Sequence, residues 1–379
     1  MKIDCQRHLF DIDPGVAYLN CGYMSPLSGD VVDAGSEALR AKTKPWKITA
    51  TDFFAPSERL RETFGGLINA SANDIALIPA ASYGLSTASA ILPVSEGQNI
   101  VMADEQFPSN VYPWLERAAE AGAHANLVKR PSDDDWTSAI VSEINSATAI
   151  VAIPQLHWTN GALFGLMKIR AVCNQVGAAL VVDATQSAGA APIDLAEIQP
   201  DFLVAAGYKW LMGPYSLGYL YVAPQWQTGR PIEQNWITRQ DSENFAQLVN
   251  YTDSYADGAR RFDVGERSNF ALVPAAQAGL DLLGGWGVDN IAETLGALTN
   301  DLAAATAELG YHTAPEHLRA PHYLGISSDK PPAPDLLDRL AESKVFVSVR
   351  GSSIRITPHL YNSPEDCQQL LAALRAVAT

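Results

Sequence analysis

The sequence predicts an α/β protein with a large, mostly parallel sheet covered by helices on both faces and a smaller α+β unit behind it. Three observations carry this expectation. From about Asn73 onward, short apolar runs alternate with amphipathic stretches, which is how a helix-covered parallel sheet is written. At 379 residues the chain is long for one ordinary core and suits a large domain with a smaller companion. Between Pro224 and about Arg261 the periodicity gives way to a polar, Gln- and Tyr-rich stretch, as expected of a long functional loop or linker.

Seven runs read as strands in order: Ile75–Ile78, Asn99–Met102, Ala125–Val128, Ala149–Ile153, Ala179–Val182, Phe202–Ala205 and Gly218–Val222. Helices or turns over Ser82–Leu92, Asn110–Ala121, Thr137–Ile144, Met167–Val176 and Leu195–Ile198 connect them. After the polar stretch come helical patterns over Val273–Leu283 and Val288–Leu309. The remainder mixes short strands (Tyr323–Ile326, Val345–Val349, Ser353–Ile356), an amphipathic Pro334–Ser343 and a last helix from Pro364.

Composition narrows the function classes. Apolar residues make up 47% of the chain and charged residues 18%, ordinary values for a globular protein with a sizeable core. The formal net charge is −16, with the acidic residues scattered, so phosphate backbones and anionic lipids are repelled as partners. Any anionic ligand then needs a local positive site. No run approaches the ~20 apolar residues of a membrane span and none has signal-peptide form, so the expectation is a cytoplasmic protein. Cys5, Cys21, Cys173 and Cys367 are widely spaced and read as reduced thiols, and no metal-binding pattern is present. Walker, H-E-x-x-H and G-x-S-x-G motifs are also missing.

Two strand ends carry the chemistry. The run Ala178-Ala179-Leu180-Val181-Val182-Asp183 is a buried strand ending on a carboxylate, and ligands of open α/β sheets sit beyond such carboxyl ends. Taken alone, Asp183 reads more readily as a solvated cap of the next turn. The run Asp201 to Pro214 sets Lys209 just past another strand end, among Gly207, Tyr208, Trp210 and Gly213, where desolvation would lower its pKa and favour a nucleophilic amine. A lone lysine there could also snorkel to the surface. Together, however, the pair meets the needs of pyridoxal 5′-phosphate (PLP): a carboxylate for its pyridinium nitrogen and an amine for its aldehyde. The turn Pro79-Ala80-Ala81-Ser82-Tyr83-Gly84-Leu85 offers backbone donors at a helix start for a phosphate.

At these residues the sequence resembles the fold-type I PLP enzymes, in particular the class V aminotransferase family that includes cysteine desulfurases, kynureninases and isopenicillin N epimerase-like proteins. The most specific segments are Val182-Asp183-Ala184-Thr185-Gln186-Ser187 and Gly207-Tyr208-Lys209-Trp210. Asp263 to Asn269 and Arg350 to Asn362 support them, so the resemblance spans nearly the whole chain. It implies the PLP-dependent transferase-like fold, with residues 1–20 packing on a small domain, a PLP-binding large domain over 21–255 and the small domain over 256–379. It also implies that Lys209 forms the Schiff base, that Asp183 partners the pyridine nitrogen and that Gln186 hydrogen-bonds the phenolic oxygen. Phe107 falls where the family covers the ring, and its alternative is plain core packing. Ala81 and Ser82 match the pair around the phosphate, whereas Ala206 stands where a phosphate-binding serine is common. Tyr208 matches the kynureninase-like tyrosine before the lysine. Arg355 matches the arginine that takes an amino acid's α-carboxylate, with Asn20 and Trp158 also assigned to substrate. Either Trp158 or Asn160 is expected to face the site, Asn160 toward the cofactor, and His157 reads as a core histidine. Family dimers complete the phosphate site from the neighbouring subunit near Glu266 to Asn269, so a homodimer with shared sites is implied.

A desulfurase needs a mobile cysteine shortly before the carboxylate-binding arginine, and Lys344 to Arg355 contains none. The resemblance then implies an external aldimine with an α-amino acid and removal of its Cα proton by Lys209. Amino transfer leads, with a Cβ–X lyase next and an epimerase or kynureninase-type hydrolase behind. A catalytically silent binding protein on the same fold is the alternative of a different class, and retention of Asp183, Gln186, Lys209 and Arg355 together argues against it.

Overall fold

A computed structural model describes residues 2–378. In chain order its strands are β1 (Ala17–Tyr18), β2 (Ile75–Ile78), β3 (Asn99–Ala103), β4 (His124–Val128), β5 (Thr148–Pro154), β6 (Ala179–Asp183), β7 (Phe202–Ala206), β8 (Gly218–Val222), β9 (Leu324–Ile326), β10 (Val345–Phe346), β11 (Ser348–Arg350) and β12 (Ser353–Ile356). The helices used below are α1 (Gly29–Ala41), α2 (Ala55–Leu67), α3 (Ala81–Ile91), α4 (Leu272–Trp286), α5 (Val288–Ala307) and α6 (Pro364–Ala378). All seven expected strands of the large sheet form, within one residue of their expected ends.

Those strands make one sheet in the order β2-β8-β7-β6-β5-β3-β4. Pairing within β7-β6-β5-β3-β4 is parallel, whereas β8 runs antiparallel to both β7 and β2. The reversal has a simple cause. Parallel neighbours need a crossover of a dozen or more residues, usually through a helix, and only the turn from Gly207 to Leu217 joins β7 to β8. The chain therefore folds straight back, and Lys209 is held in that turn.

Burial on both faces explains the near-continuous apolar runs. Side chains alternate between two cores: Val151, Ile153, Val182, Leu203 and Tyr219 join Trp136 and Phe64 on one face. Ile150, Ala152, Val181, Val204 and Leu220 join Trp114 and Leu85 on the other. A third core, with Leu324, Ile326, Ile354, Ile356, Leu370 and Leu374, lies between the antiparallel sheet β11-β12-β9 and the helices α5 and α6. Near the N-terminus, β1 adds in parallel to β10, and Arg7 pairs with Asp366 at 3.1 Å. Helix α4 packs on α1 and α2. Residues 224–261 carry only short 3-10 turns, with Tyr251 almost fully exposed.

One buried ion pair locks the sheet's end to the chain that follows the polar loop. Arg61, fully buried on α2, donates to Ile75 O at 2.6 Å and to both carboxylate oxygens of Asp263. Asp263 also accepts the Leu77 N–H at 2.8 Å, and Arg267 lies 2.9 Å away. Its carboxylate thus holds β2, α2 and the segment 263–267 together. Asp263→Ala should cost about 3–5 kcal/mol, because it takes the buried carboxylate from both Arg61 and Arg267 and leaves Arg61 only its pair with the half-buried Glu58 at 3.1 Å. Urea unfolding should show this loss, while the double change Arg61→Met with Asp263→Leu should recover much of it.

Candidate active site

Because β2, β3, β5, β6 and β7 point the same way, their carboxyl ends open on one side, and β8, being antiparallel, begins there. The chain just beyond those ends encloses a cavity of about 430 Å³. Pro79 to Ser82 line it from β2, Gln106 and Phe107 from β3, Pro154, Leu156 and Trp158 from β5, and Asp183, Thr185 and Gln186 from β6. Ala206, Tyr208 and Lys209 follow β7, and Tyr215 to Leu217 lead into β8. A larger hollow of about 1290 Å³ lies under the polar loop 234–253. That hollow is lined by no lysine, whereas the smaller cavity sets Lys209 beside the buried Asp183 and is the candidate site.

Lys209 is 6% exposed. Burial lowers its pKa to about 8, Asp183 opposes that shift, and the nearby Arg355 and Arg350 charges add to it. A substantial neutral fraction is therefore present near pH 8, as a nucleophile requires. Its Nζ lies 5.4 Å from the Phe107 ring centre and 5.5 Å from that of Tyr208. Asp183 is 8% exposed and its pKa is raised by burial against the Thr185 hydrogen bond and the Lys209 charge. Its Oδ1 accepts the Thr185 N–H at 2.9 Å. A buried carboxylate with so few donors at a cavity wall suits a cationic ring nitrogen.

Gln186 is held in one orientation by its neighbours. Trp210 Nε1 donates to its Oε1 at 3.0 Å, and its Nε2 donates to Gly22 O at 3.0 Å. His322, pushed down to about 4 by burial and so neutral, sits 2.6 Å from the Gln186 carbonyl, which fixes its Nε2–H tautomer. Trp210 fixes which end of the amide is oxygen, and with one Nε2–H on Gly22 the other remains to donate to a ligand. Gly22 must stay small: a Cβ there would come within 3.3 Å of Thr357, Tyr323 and Gln186.

The start of α3 meets the other wall. Its N-cap, Ala80, supplies no side-chain acceptor, so the first N–H groups remain free for an anion beside Ala81 and Ser82. A buried amine, a buried acid, a fixed amide donor and an uncapped helix start fit PLP at four separate points.

Arg355, 1% exposed on β12, donates from Nε to Ser348 Oγ at 2.8 Å and from Nη1 to Trp158 O at 3.2 Å. Asn20, also buried, accepts the Ser348 hydroxyl at 3.0 Å and so stands behind Arg355 rather than on the cavity wall. Of the two expected alternatives Trp158 lines the cavity, edge-to-face with Phe107 at 5.3 Å. Asn160 is not brought there. Its Nδ2 donates to Asp134 at 2.9 Å, its Oδ1 accepts the Ala162 N–H, and its backbone packs on Gly325, where a Cβ would meet Asn160 Cα at 2.3 Å. His157 is a core histidine stacked on Trp136, with Thr159 Oγ1 2.7 Å from its Nδ1. Sequence reasoning passed over Thr185, Tyr215, Trp210 and Arg350 as site residues. Thr185 and Trp210 lay inside quoted motifs, and the β-strand alternation from Ser348 to Arg355 could have flagged Arg350.

The fold and the cavity define an α/β enzyme class built around a buried lysine–aspartate pair at the carboxyl ends of adjacent parallel strands. Residues 34–370 match the family model described as aminotransferase class-V, and the chain belongs to that family. Its relatives include the uncharacterized aminotransferase YcbU of Bacillus subtilis, 27% identical over 90% of this chain and 88% of that protein. The isopenicillin N epimerase of Amycolatopsis lactamdurans is 23% identical over 98% of each. Among solved structures, the cysteine desulfurase of Thermococcus onnurineus NA1 superposes with a TM-score of 0.85 at 20% identity, over 100% of this chain and 99% of that one. A variant of C-DES with glycine covalently linked to its PLP cofactor gives 0.86 at 20% identity, over 97% and 98%.

The lowered Lys209 pKa has a direct signature. Below about 8 the amine is protonated and inert, so the rate at which the cofactor-free protein forms a visible PLP chromophore should rise with pH through a midpoint near 8. Asp183 raises the Lys209 pKa, so Asp183→Asn should move that midpoint lower. Stopped-flow absorbance over pH 6–10 checks both, roughly spanning two pH units either side of the midpoint.

Proposed function

We propose that this chain is a PLP-dependent aminotransferase that takes an α-amino acid as amino donor. The observation that carries this reading is Lys209, an amine buried with Asp183 at the strand ends, its pKa lowered by burial to about 8. When bound, PLP serves as the sink for the electron pair left at the substrate's Cα.

The chain's own residues do the rest. Lys209 would hold the cofactor through its Nζ, and once released by the substrate amine that Nζ would serve as the base for the Cα proton and its donor in amino exchange. Asp183 would hold the pyridine nitrogen in its protonated form, a cationic partner that would offset the cost of burying the carboxylate. Gln186, with its oxygen tied to Trp210, donates to the phenolic oxygen. The free N–H groups of Ala81 and Ser82 take the phosphate, Phe107 covers the ring, and Tyr208 closes the wall beside Lys209. Arg355 receives the α-carboxylate through a charge-assisted pair, with Asn20 and Ser348 setting its guanidinium and Trp158 forming the substrate's side wall. Asn160 supports this loop through Asp134 and Gly325, and reaches the cofactor only if that loop rearranges.

Residues 21–255 act as the PLP-binding domain and 256–379 as the small domain, with 1–20 packed on the latter. A homodimer completes each phosphate site near Glu266 to Asn269, and the enzyme works in the cytoplasm. Among the described residues no helix is long and apolar enough to cross a membrane.

The aminotransferase name of the Bacillus subtilis relative, matched over most of both chains, supports amino transfer. Elimination at Cβ stands next, since cysteine desulfurases are among the relatives. The missing thiol between Lys344 and Arg355 speaks against persulfide formation. Incubating the PLP-loaded protein with amino acids should give keto product beyond one equivalent only when a keto-acid acceptor is present. Ammonia and keto product without acceptor would replace transfer by elimination. Lys209→Ala should lower turnover by roughly 10²–10⁴-fold.

A further inference from the structure

The strands β11 and β12 form a hairpin in which Ser348 faces Arg355 and Arg350 faces Ser353. Alternation therefore puts Ser348, Arg350, Ser353 and Arg355 on one face and Val349, Ile354 and Ile356 on the other. The apolar face enters the small core. The polar face carries both arginines to Trp158, whose ring centre lies 5.5 Å from Arg355 Cζ and 5.7 Å from Arg350 Cζ. Trp158 is a wall of the Lys209 cavity.

Among the described residues neither guanidinium meets a carboxylate. Arg355 is bonded to a hydroxyl and a carbonyl, and Arg350, only half-buried, donates to its neighbour's Val349 O at 2.7 Å. The charges feel each other and Lys209: Arg355 acts with burial to lower the Arg350 pKa, and both arginines lower that of Lys209. A chain with 42 acidic and 26 basic residues thus sets two adjacent cations, with no ion-pair partner among the described residues, behind the cavity-wall residue Trp158. Such a pair repels itself until anions arrive. The α-carboxylate satisfies Arg355, and the phosphate belongs to the start of α3, which leaves Arg350 unserved.

We propose that Arg350 binds a second anionic group on the substrate's side chain, so that the amino donor is an acidic α-amino acid of the dicarboxylate class. This rests on the aminotransferase reading above and names its substrate class. Arg350 sets specificity by a guanidinium–carboxylate contact at the far end of the substrate.

The test compares glutarate with butyrate, neither of which can react, by calorimetry on the PLP-loaded protein. Glutarate should bind roughly 10- to 100-fold more tightly. Arg350→Gln should erase that preference and lower the glutamate-over-norvaline ratio of kcat/KM by a similar factor, and Arg350→Lys should restore part of it. Equal binding of the two acids by the wild type overturns the proposal. An equal loss for both acids in Arg350→Gln does so too, since Arg350 would then share the α-carboxylate. A protein that takes up no PLP refutes the aminotransferase reading instead, and amino exchange without acid preference refutes the substrate class alone. An unchanged thermal midpoint for Arg350→Gln confirms that the variants are compared in the folded state.

Discussion

An amine and a carboxylate buried within electrostatic reach of one another set the terms for the rest of this molecule. Lys209 and Asp183 each lose solvation at the cavity wall, and each partly offsets the other's loss. Desolvation still wins at both groups: the lysine is drawn toward neutrality and the acid toward protonation. Both burials become favourable when one ligand supplies an aldehyde for the amine and a cationic nitrogen for the acid. The geometry that enforces this is the short turn from β7 to β8, which reverses the chain and leaves Lys209 beside the end of β6.

Around that pair, the chain divides its work between holding and reacting. Asp263 belongs to a motif that resembles the family, yet its carboxylate is fully buried and spent on Arg61 and Leu77. It secures β2, and thereby the turn into α3 whose N–H groups face the cavity. Trp210 and His322 act in a similar supporting way on Gln186, one through the side-chain oxygen and one through the backbone carbonyl. Two residues distant in sequence thereby fix Gln186, one at its side chain and one at its backbone.

Much of this was legible in the sequence because the large sheet is written in short, near-continuous apolar runs of parallel-sheet length. The strands expected over Ala179–Val182 and Phe202–Ala205 each run one residue further, to Asp183 and Ala206. The reversed direction of β8 was not anticipated, although the length of the Gly207 to Leu217 turn already required it. The cavity residues Asp183, Gln186, Lys209, Phe107 and Trp158 converge as their strand ends imply. Asn160 does not, because the side chain that captures it, Asp134, lies on a distant loop that no local pattern connects to it. Arg350 was overlooked for the opposite reason. Its missing partner is visible only once the whole set of charges is placed in space.

The central claim is that one lysine carries the cofactor. Reducing the PLP-loaded protein with borohydride and mapping the modified peptide tests it most directly. A single pyridoxyl group on the peptide containing Tyr208-Lys209-Trp210 is the expected result, and it should vanish in Lys209→Ala. Label distributed over other lysines, or retained undiminished in that variant, would contradict the account.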